Sequence, residues 1–195
     1  EQWDLAVYTE SGYDGKKFID NGVLRVDVTA APGETWKLSI SQGDKELVNG
    51  GNYTLSFRAR ADVPRKISSW MQQTVDPWQI WMYFPDSELT TEWQDFSLTA
   101  RSTGNDTSAN LTFGLGKMPG TVYLDDVTLS LNGKAVWRRD YQNGIALVNP
   151  LSEPQFLVLG ASYRKIQGKQ DPAVNDGTTV SELTLPAYDG LILLK

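Results

Sequence analysis

The chain has 195 residues, enough for one large or two small domains, and a formal net charge of −6; that acidic balance speaks against a duplex nucleic-acid partner, whose phosphates need a basic face. It contains neither Cys nor His, which removes disulfides, thiolate metal sites, thiol nucleophiles, the usual general base and the commonest zinc ligand. No apolar run reaches the roughly eighteen residues of a membrane-spanning helix.

From the N-terminus onward the pattern is one of short alternating strands. Leu24, Val26 and Val28 share one face against Arg25 and Asp27. Residues 36–41 alternate through Leu38 and Ile40, and 43–48 is the one segment that fits a helical turn. Tyr53, Leu55, Phe57 and Ala59 then alternate with Thr54, Ser56, Arg58 and Arg60. Within 66–74, Ile67, Ser69 and Met71 form the inward side, while Ser68, Trp70, Gln72 and Thr74 point outward. Phe96 and Leu98 repeat the pattern, and Ala109, Leu111, Phe113 and Leu115 leave Asn110 and Thr112 outward. Turn signals punctuate the series at Asn21-Gly22, Pro32-Gly33, Gly43-Asp44, Asn49-Gly50-Gly51 and Gly104-Asn105-Asp106. Strands of this length and spacing predict an all-β sandwich or barrel rather than a βαβ fold.

Composition shifts after Leu131. A turn at Asn132-Gly133-Lys134 leads into strands at 135–141, 144–149, 155–159, 163–166 and 183–194, with a long exposed loop over 167–177. About sixty residues is little for an independent core, so this piece is expected to pack on a neighbour.

Between the blocks at 51–61 and 89–94 lies a strand pair carrying Trp70, Trp78 and Trp81 beside Gln72 and Gln73. Aromatic planes next to amides suit a sugar, which has an apolar C–H face and a rim of hydroxyls. Gln73 shares the parity of Met71, so Gln72 is the better hydrogen-bonding candidate. Trp81 sits among Ile80, Met82, Tyr83 and Phe84, where either face can be buried. Alternation puts Trp36 on the side of Leu38 and Ile40, toward the core. Trp3 and Trp137, at segment ends, read as domain-packing residues.

Four ordered blocks carry a family likeness: Gly-Asn-Tyr-Thr-Leu-Ser-Phe-Arg-Ala-Arg-Ala from Gly51, Leu-Thr-Thr-Glu-Trp-Gln from Leu89, Leu-Thr-Phe-Gly-Leu-Gly from Leu111, and Val-Tyr-Leu-Asp-Asp-Val-Thr-Leu from Val122. Their order and spacing resemble the carbohydrate-binding modules of families 4, 9, 16 and 22, jelly-roll β-sandwiches attached to bacterial polysaccharide-degrading enzymes. The resemblance implies an antiparallel jelly-roll sandwich over residues 1–132, with a smaller all-β unit over 133–195. It further implies a sugar cleft in which Gln72 and Asn110 bond hydroxyls and Trp78, after Pro77, is an aromatic platform. Trp36 stands where xylan-binding relatives carry Trp, which sets the resemblance against alternation. Trp70 and Trp81 join the candidate stacking set, and Tyr8 belongs to a segment that lines one cleft end. Trp93 matches the family's packing Trp and is expected in the core.

The same resemblance implies a structural calcium with a ligand from Asp125, although the N-terminal Gly-Phe-Glu segment that supplies a second ligand in the family is missing. No other cofactor is expected. Residues 143–150 and 186–194 resemble the closing β-domain of glycoside hydrolases. Together with a start at Glu1 that has neither Met nor a signal peptide, this implies a piece of a longer, secreted bacterial protein, with a catalytic domain upstream. The expected partner is an extracellular polysaccharide such as β-glucan or xylan, with no nucleic acid and no membrane.

Two other classes stand beside this reading. A small jelly-roll glycosidase needs two carboxylates facing each other across a cleft, and none of Glu1, Glu10, Glu34, Glu46, Glu88, Glu92, Glu153 or Glu182 lies mid-strand between aromatics. Asp27 is mid-strand without an evident partner. A structural or protein-interaction β-sandwich differs from a sugar binder only through Trp70, Trp78 and Gln72.

Overall fold

A computed structural model gives the fold and describes residues 3–131 and 136–195. The chain divides into two compact units, Glu1–Asn49 with Tyr53–Leu129, and Gly50–Asn52 with Ser130–Lys195. No helix among the described residues is long and apolar enough to cross a membrane.

The first series of strands is β1 (Asp4–Val7), β2 (Asp14–Asp20), β3 (Val23–Ala30), β4 (Leu38–Leu47), β5 (Asn52–Ala61) and β6 (Arg65–Gln72). It continues with β7 (Ile80–Tyr83), β8 (Ser87–Leu89), β9 (Gln94–Arg101), β10 (Asp106–Gly114) and β11 (Gly120–Leu131). One sheet orders them β1-β4-β10-β6-β7, with β8 also on β6; the other runs β2-β3-β11-β5-β9. This is an antiparallel jelly-roll sandwich. Its cause is the alternation, since each strand offers one apolar face and two such sheets must close on each other. Val26, Leu55 and Val122 on one side, with Ile40, Met71 and Phe113 on the other, have no exposed surface. Phe57 of β5 meets Phe113 of β10 edge-on at 5.2 Å and stacks on Phe96 of β9 at 4.9 Å. Burying side chains of this size stabilises by about 1.5–3 kcal/mol each. Trp3 joins this core, its ring 6.0 Å from Phe113.

Three local expectations are corrected. β4 stays extended through 43–47 rather than forming a helical turn, because β10 pairs along it and shifts register on either side of Ala109; ladder hydrogen bonds outweigh the local turn signal. Residues 35–37 are a 3-10 turn, not the start of β4, so alternation does not apply to Trp36. Trp93 precedes β9 and is 37 % exposed. It is not a core residue; it lies on the outer face of the five-stranded sheet against Arg58, Arg60 and Tyr123.

In the second unit β12 (Trp137–Tyr141), β13 (Gly144–Val148), β14 (Gln155–Lys165), β15 (Thr179–Leu185) and β16 (Gly190–Leu194) form one sheet, ordered β12-β13-β16-β14-β15. The turn expected at 132–134 and the strand start at 135 lie outside the described residues. Ile145, Leu147, Leu157, Leu159, Tyr163, Leu185 and Leu193 make its core. Two predicted strands fuse into β14, where Gly160 adopts φ +77° and the register shifts between Val158 and Tyr163, a bulge that glycine permits. The predicted strand 183–194 is instead split by a turn at 186–189. Asn149, with no exposed surface, fastens that turn: its amide donates to the carbonyls of Pro186 at 2.8 Å, Leu185 at 3.3 Å and Glu153 at 2.9 Å. Trp137 is 66 % exposed.

Candidate functional site

The six-stranded sheet turns one face away from the core, and its composition follows from register. Gly114 pairs with Ser39 and Ser68, Thr112 with Ser41 and Trp70, and Asn110 with Gln72. Cross-strand partners share a face, so these residues form one floor. Above it lies a cleft of about 1000 Å³ whose lining also includes Tyr8, Trp36, Trp78, Tyr83 and Asp86.

Trp70 belongs to this outward face, yet it is only 5 % exposed. Its indole lies against Gly114, where a Cβ would stand 2.8 Å from ring carbon Cζ3. Its Nε1–H donates to Oε1 of Gln72, and this bond orients the Gln72 amide and leaves both N–H donors of its N–H₂ on offer. Asn110 sits directly across from Gln72. Gly43 gives it room, since a Cβ there would stand 3.0 Å from Oδ1 of Asn110.

Trp36 reaches the cleft by main-chain docking. The 3-10 turn Thr35–Lys37 sits on the Gly114-Leu115-Gly116 segment: Gly116 N–H donates to Thr35 O at 2.9 Å and Leu115 N–H to Leu38 O at 2.8 Å. Glu34 N–H donates to the Tyr13 hydroxyl at 2.6 Å. Gly116 is required here, because a Cβ would meet Leu38 N at 3.0 Å and Glu34 O closer still. So placed, Trp36 is 45 % exposed and meets Tyr8 edge-on at 5.0 Å.

Trp78 stands at the diagonally opposite corner, past the Gln72 end of β6. A turn closed by Trp78 N–H to Val75 O at 2.8 Å contains the cis Asp76–Pro77 bond and holds Trp78 at φ +57°, an uncommon conformation for a bulky residue. Gln73 does not face the ligand side; its backbone and side chain both bond Gln79, at 2.9 and 3.2 Å, to fasten this turn. Trp78 is 54 % exposed. From β1 to β7 the floor spans four strand spacings, about 19 Å.

Trp81 is not part of the cleft lining. It is the extra residue of a bulge, since Met71 pairs with Met82 but Gln72 with Ile80. Its indole turns to cover Gly104 and donates from Nε1 to Asp106 Oδ2 at 2.7 Å, while its carbonyl accepts from Thr103. Tyr83, hidden in the apolar run 80–84, reaches the cleft together with Ile80 of the same strand; its ring is 6.4 Å from that of Trp70. Ser39, Ser41 and Thr112 also join the floor, and only the sheet order brings them together.

Asp86 is the one carboxylate of the lining, and no Lys or Arg among the described residues joins it there. Ser68 Oγ donates to Asp86 at 2.8 Å, and Lys66 approaches it at 3.7 Å. Asp27 lies on the other sheet, where the Arg25 guanidinium bonds it at 2.7 and 2.8 Å and holds its carboxyl below the usual carboxylate range. It is therefore an ion-pair partner rather than an acid facing a cleft.

The residues present do not fit the implied calcium. Asp125 Oδ1 accepts the backbone N–H of Asp126 at 2.9 Å. Among the described residues no three acidic groups converge, whereas calcium takes six to eight oxygens.

Comparisons with known proteins bear on the family and the fold. A family model described as a carbohydrate binding domain matches residues 4–121. A solved structure titled "CBM4 structure and function" is 29 % identical, covering 66 % of this chain and 86 % of its own, with a TM-score of 0.60. The N-terminal cellulose-binding domain of Cellulomonas fimi β-1,4-glucanase C is 21 % identical over 66 % of this chain and 88 % of its own, with a TM-score of 0.53. The second such domain of that enzyme is 18 % identical over 66 % and 84 %, with a TM-score of 0.54. The latter two likenesses are of fold. No curated protein sequence matches the chain.

Proposed function

The chain belongs to the carbohydrate binding domain family, and from that premise we propose that its first unit is a non-catalytic module whose cleft binds a neutral polysaccharide such as β-glucan or xylan. An extended chain lies obliquely across the sheet, its pyranose faces against Trp36 at one corner and Trp78 at the other. Trp70 forms the apolar floor between them. Gln72 donates its amide N–H₂ to a sugar hydroxyl, and Asn110 bonds the neighbouring one. What carries the reading is the pairing of a small, polar floor with exposed rings at diagonal corners. Rings supply C–H stacking, and amides supply orientation at a modest net gain per bond. An open cleft leaves much of the ligand wet, so affinity is weak, about micromolar to millimolar.

Calorimetric titration with cello-, xylo-, laminari- and manno-oligosaccharides tests this. Saturable binding to at least one, lost in the Trp36→Ala/Trp78→Ala double variant while the fold persists, is the expected result. Silence on all four, or undiminished binding by the double variant, overturns it.

On the same reading the parent protein is an extracellular bacterial glycoside hydrolase with its catalytic domain upstream. The support is the turn-residue likeness of 143–150 and 186–194 to glycosidase tails. The coding sequence upstream of Glu1 is the check: an open frame without a hydrolase domain removes this part and leaves the cleft reading intact. Calcium at Asp125 has no part in the proposal.

A further inference from the structure

The sandwich has a second outward face, on the five-stranded sheet, and a ladder of rings and guanidiniums crosses it. Phe18 of β2 carries Arg25 of β3 at 5.5 Å, and Arg25 pairs in register with Tyr123 of β11. The Arg60 guanidinium of β5 lies over the Tyr123 ring, 3.9 Å from its centroid, and 5.5 Å from that of Trp93. Arg58 reaches the same ring at 5.4 Å. The order is therefore ring, cation, ring, cation, ring, and Phe18 and Trp93 at its ends are 46 % and 37 % exposed. The stripe runs from β2 across β3, β11 and β5 to the residue before β9, four strand spacings or about 19 Å.

Charge sorts the three arginines. Arg25 is neutralised by Asp27 at 2.7 Å and Arg58 by Asp95 at 3.3 Å. No carboxylate among the described residues pairs with Arg60. Contact with the Tyr123 ring restrains the Arg60 guanidinium, whose planar N–H fork can bind a planar anion with two parallel hydrogen bonds.

We propose that this stripe is a second ligand surface, taking a mostly neutral glycan chain at a point where it carries an isolated uronate. A pyranose face fits the exposed side of Trp93, and the carboxylate beside it fits the Arg60 fork. One unpaired cation matches one acid group. A densely charged chain, whether polyuronate, acidic peptide or nucleic acid, would also meet Asp27 and Asp95 within the stripe and the net charge of −6 on the whole chain. In the cleft on the opposite sheet the one charged lining residue is Asp86, and the cation at its Trp36 corner is Lys37, 5.6 Å over that ring, an ammonium without the planar fork that pairs with a carboxylate.

The test titrates the full chain with a xylotriose bearing a single glucuronate, against plain xylotriose, at low salt. Nuclear magnetic resonance follows the indole N–H signals of Trp93, Trp36 and Trp78. The expected result is a Trp93 shift with the acidic ligand alone, and an affinity margin over the neutral one of about tenfold, the scale of one charge-assisted bond pair. Arg60→Gln removes that margin, Arg60→Lys keeps part of it, and raising salt shrinks it; binding of neutral chains at Trp36 and Trp78 stays unchanged in both variants. Equal affinity for the two ligands overturns the proposal, as does a margin that survives Arg60→Gln or appears only at Trp36 and Trp78. A polyglutamate peptide that shifts Trp93 at the same concentration also overturns it, marking a general anion surface instead. A neutral chain that binds in none of these titrations counts against the cleft alone.

Discussion

The indole of Trp70 lies against Gly114 on the neighbouring strand, so close that a methyl group built on that glycine would stand 2.8 Å from ring carbon Cζ3 and 3.1 Å from the carbonyl of Thr35. The floor of the cleft and the seat of the Trp36 turn therefore meet at one Cα. Gly114→Ala is expected to act as overpacking, costing about 1–3 kcal/mol of stability, and to lift the ring into the cleft. Urea unfolding reads the first effect and oligosaccharide titration the second. A variant that keeps both values would show that Trp70 moves without consequence.

The two corner rings share no contact partner: Trp36 meets Tyr8, and Trp78 stands on its own turn. Each alanine variant is expected to lose about 1–2 kcal/mol of binding, the scale of one stacked, partly buried ring. The losses should add to within about 0.5 kcal/mol, as for independent sites. A double-mutant cycle by calorimetry measures this, and strong coupling would mean that both rings hold the same sugar.

Trp81 lies outside the cleft lining, held by Asp106 and Gly104. Trp81→Phe keeps the ring over Gly104 but loses the bond from Nε1 to Asp106, and is expected to cost about 1–2 kcal/mol of folding free energy. Sugar affinity should not change. A loss of affinity without a loss of stability would return Trp81 to the cleft.

Asp176 in the second unit accepts from Thr178 twice, through hydroxyl at 2.6 Å and backbone N–H at 2.9 Å, and faces Lys165 at 3.3 Å. These bonds, the Thr178 hydroxyl foremost, lower its pKa to about 2. The folded value lies below the unfolded one, so the stabilisation is present above about pH 4 and is lost as pH falls through about 2. Carboxyl carbon chemical shifts across that range should show the low midpoint, and Thr178→Val should raise it. A midpoint near 4 in the parent chain would remove the claim.

Much of the sandwich was legible because burial on one face imposes a period of two. The inward sets of β3, β5 and β10 follow it residue by residue. The same rule turned Trp70, Gln72, Asn110 and Thr112 outward. It was silent or misleading wherever the chain leaves the pleat. Trp36 lies in a turn, so parity says nothing of it, and a bulge at β7 sends Trp81 aside and brings Tyr83 forward. Trp93 precedes its strand, and only the adjacency of β9 and β5 puts it beside two arginines. Sheet order is a long-range property that local pattern does not carry, which is also why Ser39 and Ser41 were unremarkable until β10 lay between β4 and β6.

The turn that carries Trp36 is fastened through backbone groups of residues 34–38 to those of 8, 115 and 116, with two hydroxyls in support: Tyr13 accepts from Glu34 N–H, and Thr35 donates to Gly114 O at 3.3 Å. The indole itself takes no part in any of these bonds. Its contacts are the edge of Tyr8 and the Lys37 ammonium, so Tyr, Phe, Leu or a small residue at position 36 would leave the fastening of the turn in place. If Trp36 holds sugar as proposed, ligand preference at that corner can be changed by single substitutions that leave those bonds untouched.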